Sequence, residues 1–452
     1  MRHFMWSVLF AAVTIVAAWG ADSPPLVVDL AQAARLAQER SLKLQTARQD
    51  VETARQVILE AQRHGKGVAS LSASALHLDK APSIPTPPVT LPFGEQAITV
   101  NIPPVQAAPD DLIHLTLQGG YPLYTAGALP SAIRQAEHGL AAREAVVSDT
   151  EAEVMLEVTR LYLGTLLSRD VVRVNEQALV SYLKHQEQAE QTYQAGVVAH
   201  YDVIRAQAAV MEQRKRLTEA NNNYELSHAA LCEALHLDCL APLQLQGALF
   251  EVAEPLKLSE AQELALRSNG LLKALDQKSS ALLEARRVEV AGGKPQVQGV
   301  AQMELLTGTI AYTDPAWFIG VQGKVELFDG GVRRAKAAQL ASERAKTATE
   351  SEAAADKIKL AVRKALLDMD SARSALAQAR KSLELSQEAL RLANERFTVG
   401  VGTSVEVLDA NVAVSTAELG VQQSLYQLDS AYLTLHRYLG DLAKVCQEVQ
   451  KI

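Results

Sequence analysis

Gly400–Leu408 reads GVGTSVEVL, and 204 positions earlier Gly196–Ile204 reads GVVAHYDVI. At that same offset Asp202 matches Glu406, Val203 matches Val407, Ala206 matches Ala410 and Val210 matches Val414. The offset also relates Tyr124-Thr125-Ala126-Gly127 to Phe328-Asp329-Gly330-Gly331, with no gap across the stretch between. A period held this long without insertion marks an internal duplication, so each half must build the same substructure.

The stretches leading into the two turns are long and uninterrupted. Residues 131–195 and 335–397 hold no proline and only Gly139 and Gly164. Each predicts one helix of roughly 95 Å at 1.5 Å per residue, too long for a globular core and suited to a coiled-coil-like assembly. Gly196 and Gly400 stand where a helix end calls for a left-handed residue. After the second turn, Val407, Ala410, Val414, Ala417, Val421, Leu425, Leu428, Tyr432, Leu435 and Leu439 follow steps of three and four, a seam for helix-on-helix packing. The first half repeats it through Val203, Ala206, Val210, Leu217, Tyr224, Leu231 and Leu235, weakened by polar Gln213 and Asn221.

Upstream of each long helix the period changes from helical to two. In QVQGVAQMEL from Gln296, Val297, Gly299, Ala301, Met303 and Leu305 alternate with Gln298, Gln302 and Glu304. From Trp317, Ile319, Val321, Val325 and Leu327 oppose Gln322, Lys324 and Glu326; Ile113, Leu115 and Leu117 oppose His114, Thr116 and Gln118. Val68–Leu78 alternates more weakly, around Ser70, Ser72 and Ser74. A face of each sign suits membrane-barrel strands, or strands of a soluble sheet lying on a core. Helices over 29–63 and 259–290 precede the strands. Leu30–Ala37 matches Leu258–Ala265 at an offset of 228, so the first half carries 24 extra residues. They fall within 80–109, whose eight prolines predict an unpaired surface loop.

The 452 residues carry a net charge of −8, which argues against a nucleic-acid partner. Arg2 and His3 precede an apolar run and the small-residue exit Ala18-Trp19-Gly20, so residues 1–20 are expected to be a signal peptide. Past it no stretch is apolar enough to cross a bilayer as a helix; a membrane would be entered as strands of a closed barrel. Four strands cannot close a barrel around a lumen, so several chains must pool theirs. Cys232, His236 and Cys239 fall at helical spacing, where they would either hold a soft metal or mark a helix end with two buried thiols or a disulfide; no metal is assigned to them. No catalytic signature is present, so the chain is read as no enzyme and no cofactor is expected.

The duplicated halves, the YPLYTAG and VELFDGG segments, and the turns QTYQAGVVAHYDVIRAQ and ERFTVGVGTSVEVLDAN resemble the TolC-type outer membrane efflux proteins over the whole mature chain. The resemblance implies a mainly helical fold with a small β part: a homotrimer, twelve barrel strands in the outer membrane and a helical tunnel through the periplasm. It implies repeats over 21–240 and 259–452 joined by a linker or equatorial segment, 241–258, with tip turns 196–202 and 400–406. It implies an exit duct of an efflux or type I secretion system, opened by a periplasmic adaptor and an inner-membrane pump of the resistance-nodulation-division or ABC type, and in contact with outer-membrane lipid. The alternative is a non-conducting periplasmic coiled-coil scaffold. Gly196, Val197, Gly400, Val401, Gly402, Thr403 and Ser404 are then the adaptor-docking tip. Glu406 and Asp409, three apart on one helical face, would form rings of carboxylates that favour cations, or would be an ordinary solvated helix start. Asp202 matches an acid of the family's closed-state links. Phe397 and Gly402 stand where the link's tyrosine and arginine would be, so the closed tip cannot use those links and a looser gate is expected.

Overall fold

The computed structural model describes residues 26–80, 83–94, 96–106, 110–237, 243–252, 256–307 and 316–448; the expected signal peptide lies outside them. In chain order the first half runs β1 (Leu26–Val28), α1 (Leu30–Arg40), α2 (Leu42–Arg63), β2 (Val68–His77), β3 (Ser83–Ile84), β4 (Val89–Phe93), β5 (Gln96–Val100), β6 (Val105–Gln106), β7 (Asp111–Tyr124), α3 (Ala128–Gln194) and α4 (His200–Ala234). The second half runs β8 (Leu243–Leu245), α5 (Leu258–Ser268), α6 (Gly270–Gly292), β9 (Gln296–Thr307), β10 (Ala316–Lys324), α7 (Val332–Thr398), α8 (Ser404–Leu439) and α9 (Leu442–Glu448). The chain divides into two compact units, one of Gln49–Ala145 with Lys273–Glu352, the other of the remaining residues.

The first unit holds an antiparallel sheet in the order β10-β9-β7-β2, drawn equally from both halves. Its register aligns the alternation of all four strands. Ile319 lies opposite Ala301, which lies opposite Gly119, which lies opposite Ala69; Trp317 continues through Met303 and Leu117 to Leu71. On the other face, Gln302, Gln118 and Ser70 line up, as do Glu304, Thr116 and Ser72. Gln298 donates to Gln322 at 2.9 Å, and His114 pairs with Glu304 across the two halves. One side of the sheet is therefore apolar and the other mixed, with Phe318, Val300, Leu76 and Leu112 among its polar residues, and β10 and β2 are edges without a partner strand among the described residues. β10 ends at Lys324, so the expected alternation through Val325 and Leu327 overran the strand.

Helices of the same unit follow the strand order. Arg143 reaches Asp50 from α3 to α2, Arg134 binds Glu284 from α3 to α6, and Lys278 meets Glu350 from α6 to α7. Glu284, buried between Arg134 and Arg287, is held below the usual carboxylate range by Arg134, Ser131 and Arg287, which outweigh the opposing burial. The entries into α3 and α7 repeat one conformation: Ala126 and Gly127, then Gly330 and Gly331, all have positive φ. Asp329 caps α7 by accepting from Gly331 and Arg333, both at 2.9 Å, and those amides lower its pKa.

In the second unit, α1 opens on a capping box in which Asp29 and Gln32 exchange hydrogen bonds. The helix expected over 29–63 breaks at Ser41, and that over 259–290 breaks at Asn269, again 228 positions apart. Both residues leave helical geometry (ψ 120° and 125°) and cap the next helix, Ser41 accepting from Leu44 and Asn269 from Leu272. The segment 241–258, expected as a linker or equatorial segment, contributes β8, which pairs in parallel with β1. Tyr162 of α3 donates to the carbonyls of Val28 and Gln246 and Arg169 to those of Leu245 and Gly247, and burial pushes the Tyr162 hydroxyl up to about 12.

The proline-rich 80–109, expected to be unpaired, extends the β2–β7 hairpin outward. Leu78 donates to Asp110, β3 pairs with β6, and β4 pairs with β5. Prolines interrupt the ladder between these pairs, and the Thr86 hydroxyl bridges the gap to the carbonyls of Ile102 and Pro103.

Candidate functional site

The two helical turns at 195–203 and 399–406 meet in the second unit. Gly196 (φ 73°) and Gly400 (φ 80°) end α3 and α7 in the left-handed region. Val197 donates to Thr192, and Val401 and Gly402 both donate to Arg396, closing the orphan carbonyls of each helix. The turns touch: a Cβ at Gly400 would stand 2.9 Å from Val197 Cγ1. At Gly402 a Cβ would stand 2.8 Å from Phe397 N and 2.9 Å from Arg396 C, so that backbone approach requires glycine. Thr403 caps α8 through Glu406 N, at 3.3 Å.

Beneath the turns lies a small apolar cluster of Ala189, Val203, Ala206, Ala393, Phe397, Val407 and Ala410. Phe397 is fully buried in it, with the His185 ring 5.0 Å away. His185 Nε2 lies 2.9 Å from Ser404 Oγ, a tie from α3 to the start of α8 across the two repeats. Its Nδ1 has no partner among the described residues, and burial pushes the imidazole down to about 4 against the pull of Asp202.

The expected carboxylates are exposed or half-buried here. Glu406 forms an ion pair with Arg396 of its own chain at 3.4 Å, and Arg396 also reaches the Val401 carbonyl. Asp409 is exposed on the same helix near Tyr182, whose pKa is raised first by burial and then by this charge. Val197, Val399 and Val401 are exposed apolar residues, as are Tyr201 and Ile204.

The family model for outer membrane efflux proteins matches residues 78–235 and 262–441, one match in each repeat. The chain belongs to the outer membrane efflux protein family. Its place is the outer membrane. Solved structures share the fold: VceC of Vibrio cholerae, 17% identical, covering 91% of this chain and 96% of its own, superposes with a TM-score of 0.74. CmeC of Campylobacter jejuni is 14% identical over 96% and 94%, with a TM-score of 0.72, and MtrE of Neisseria gonorrhoeae 17% over 91% and 88%, with 0.68. No curated protein sequence matches significantly.

Ser404, expected at the docking tip, is interior: it is fully buried against His185, while Thr403 before it is exposed. Packing accounts for both residues, Phe397 as part of the buried cluster and Gly402 by backbone approach. His185 was missed because a lone histidine at an inward helical position carries no motif; its partner is 219 residues away in sequence. The helical spacing expected of Cys232 and His236 is not realised: α4 ends at Ala234 and His236 turns left-handed (φ 50°). Cys239 itself lies outside the described residues. Cys232 is buried in the core cluster that also contains Cys446. No described helix is long and apolar enough to cross a membrane.

Proposed function

We propose that three copies of this chain pool their sheets into a closed barrel in the outer membrane and continue as a helical duct through the periplasm. The duct is passive, catalyses no reaction, and opens when a periplasmic adaptor and inner-membrane pump engage its tip. What supports this most is the sheet of the first unit, with an apolar face, an opposite face that carries its polar residues, and two edges without a partner strand among the described residues. Such a sheet has no stable place in water by itself; joined edge to edge with its copies it loses every edge, turns its apolar face to lipid and its polar face to a lumen. The exposed Val197, Val399 and Val401, with Gly196, Gly400, Gly402 and Thr403 shaping the turns, form the surface that an adaptor would grip.

Asp202, Glu406 and Asp409 act as the gate. Glu406 is half-neutralised by Arg396, so Asp409 supplies the less compensated ring. Replacing Glu406 with Ala removes one carboxylate per chain and leaves Arg396 without that partner, so it should reduce cation preference. Planar-bilayer recordings of the purified trimer test the reading. Glu406→Ala with Asp409→Ala should lower cation selectivity and weaken block by multivalent cations, with the trimer intact. Unchanged selectivity would return both acids to a solvated helix start, and a trimer that never conducts would favour the scaffold.

A further inference from the structure

The ribbon from Ser83 to Gln106 lies in the stretch that carries the extra residues of the first half. Its only charged residue is Glu95. β4 and β5 pair so that Val89 faces Val100 and Leu91 faces Ile98, while Thr90 and Thr99 lie on the opposite face. The ribbon thus has an apolar side of branched residues, and all four are 43–53% exposed in the single chain. A lone two-stranded ribbon is marginal in water, and an uncovered apolar side makes it more so.

We infer that this apolar side is covered by the same ribbon of neighbouring copies, so that three ribbons close over the outer mouth of the barrel. The inference rests on the trimeric reading above. The ribbon grows directly from β2, an edge strand of the sheet, and so starts where one copy meets the next. Its near lack of charge suits symmetric self-association, in which like meets like, and offers nothing to a charged partner or an anionic saccharide surface. The reach suffices. Each arm of the ribbon has about 11 residues, or roughly 35 Å at 3.3 Å per residue. A barrel of twelve strands spaced about 4.8 Å and tilted about 40° has a radius on the order of 12 Å, so the arms can meet on the axis.

Cysteine cross-linking in intact cells tests this. Leu91→Cys treated with a short membrane-impermeant bis-maleimide should lose most of its monomer band to a covalent dimer on denaturing gels, two chains joined in each trimer. Thr90→Cys, on the other face, should react with a one-armed maleimide yet give no dimer. The heat-resistant trimer is read on the same samples without cross-linker. If the trimer is present and Leu91→Cys is labelled but never cross-links, the ribbons stand apart and the inference fails while the trimeric reading survives. If no trimer is present, the trimeric reading itself fails. A bimane label at Leu91 quenched by nitroxide lipid would show the ribbon lying in membrane, and would equally overturn the inference.

Discussion

Val321→Arg and Gln322→Arg add the same cation to adjacent positions of one strand, and the register sets them on opposite faces. Val321 lies opposite Gly299, in the apolar array of Ile319, Ala301, Trp317 and Met303. An arginine there meets hydrocarbon, at about 2–4 kcal/mol near the midplane, or roughly 6–12 kcal/mol summed over three copies. Gln322 shares a 2.9 Å hydrogen bond with Gln298 on the polar face, where Lys324 already lies opposite Gln296. Replacing it costs at most that one bond, about 0.5–1.5 kcal/mol, and leaves the new cation in water. Two readouts separate the variants: the yield of trimer in outer-membrane fractions, and the temperature at which the trimer dissociates in detergent. Val321→Arg should abolish or sharply reduce the trimer, and Gln322→Arg should leave it near the parent. Equal losses, or a greater loss at Gln322, would refute the assignment of faces.

Other expectations concern the helical turns. Gly402→Ala places a methyl group against the backbone of Arg396 and Phe397, which cannot swing aside; it should cost about 1–3 kcal/mol, speed proteolysis between Thr398 and Thr403, and reduce adaptor capture. The His185 imidazole titrates at about 4 when folded, below its ordinary 6.5, so the unfolded chain takes up its proton first on acidification. Its stabilising contribution is complete above pH 6.5 and falls by about 3 kcal/mol per chain as the pH drops to 4; thermal melts of His185→Gln should show a flatter acid limb than the parent.

Most of the architecture is legible in the sequence because the duplication repeats each signal. The turn glycines, the long proline-free helices and the alternating strands all appear in both halves, and the chain conforms to them at Gly196, Gly400 and the β9–β10 pair. What escaped is weak in local signal. Ser41 and Asn269 break helices whose flanks are strong helix formers, and a single cap of about 1 kcal/mol does not stand out among them. The β1–β8 pairing spans three residues on each side, too few for a period to show. Proline in 80–109 removes donors but not every pair: Pro92 lies opposite Ala97 in a ribbon with free edges, where a missing donor costs little. At the candidate site the acids were legible as a helix start, but Arg396 beside Glu406 and His185 beneath Ser404 depend on tertiary contact.

The central claim is that three copies enclose one lumen lined by the polar face of the sheet. Single-channel recording of Gln322→Cys, with Cys232, Cys239 and Cys446 replaced by Ala, tests it directly. A small, positively charged thiol reagent added from the outer side, narrow enough to follow the ions past the ribbons at the mouth, should lower the current in three discrete steps, one for each copy, while Val321→Cys should leave the current unchanged. Block of Val321→Cys, no block of Gln322→Cys, or a number of steps other than three would contradict the account.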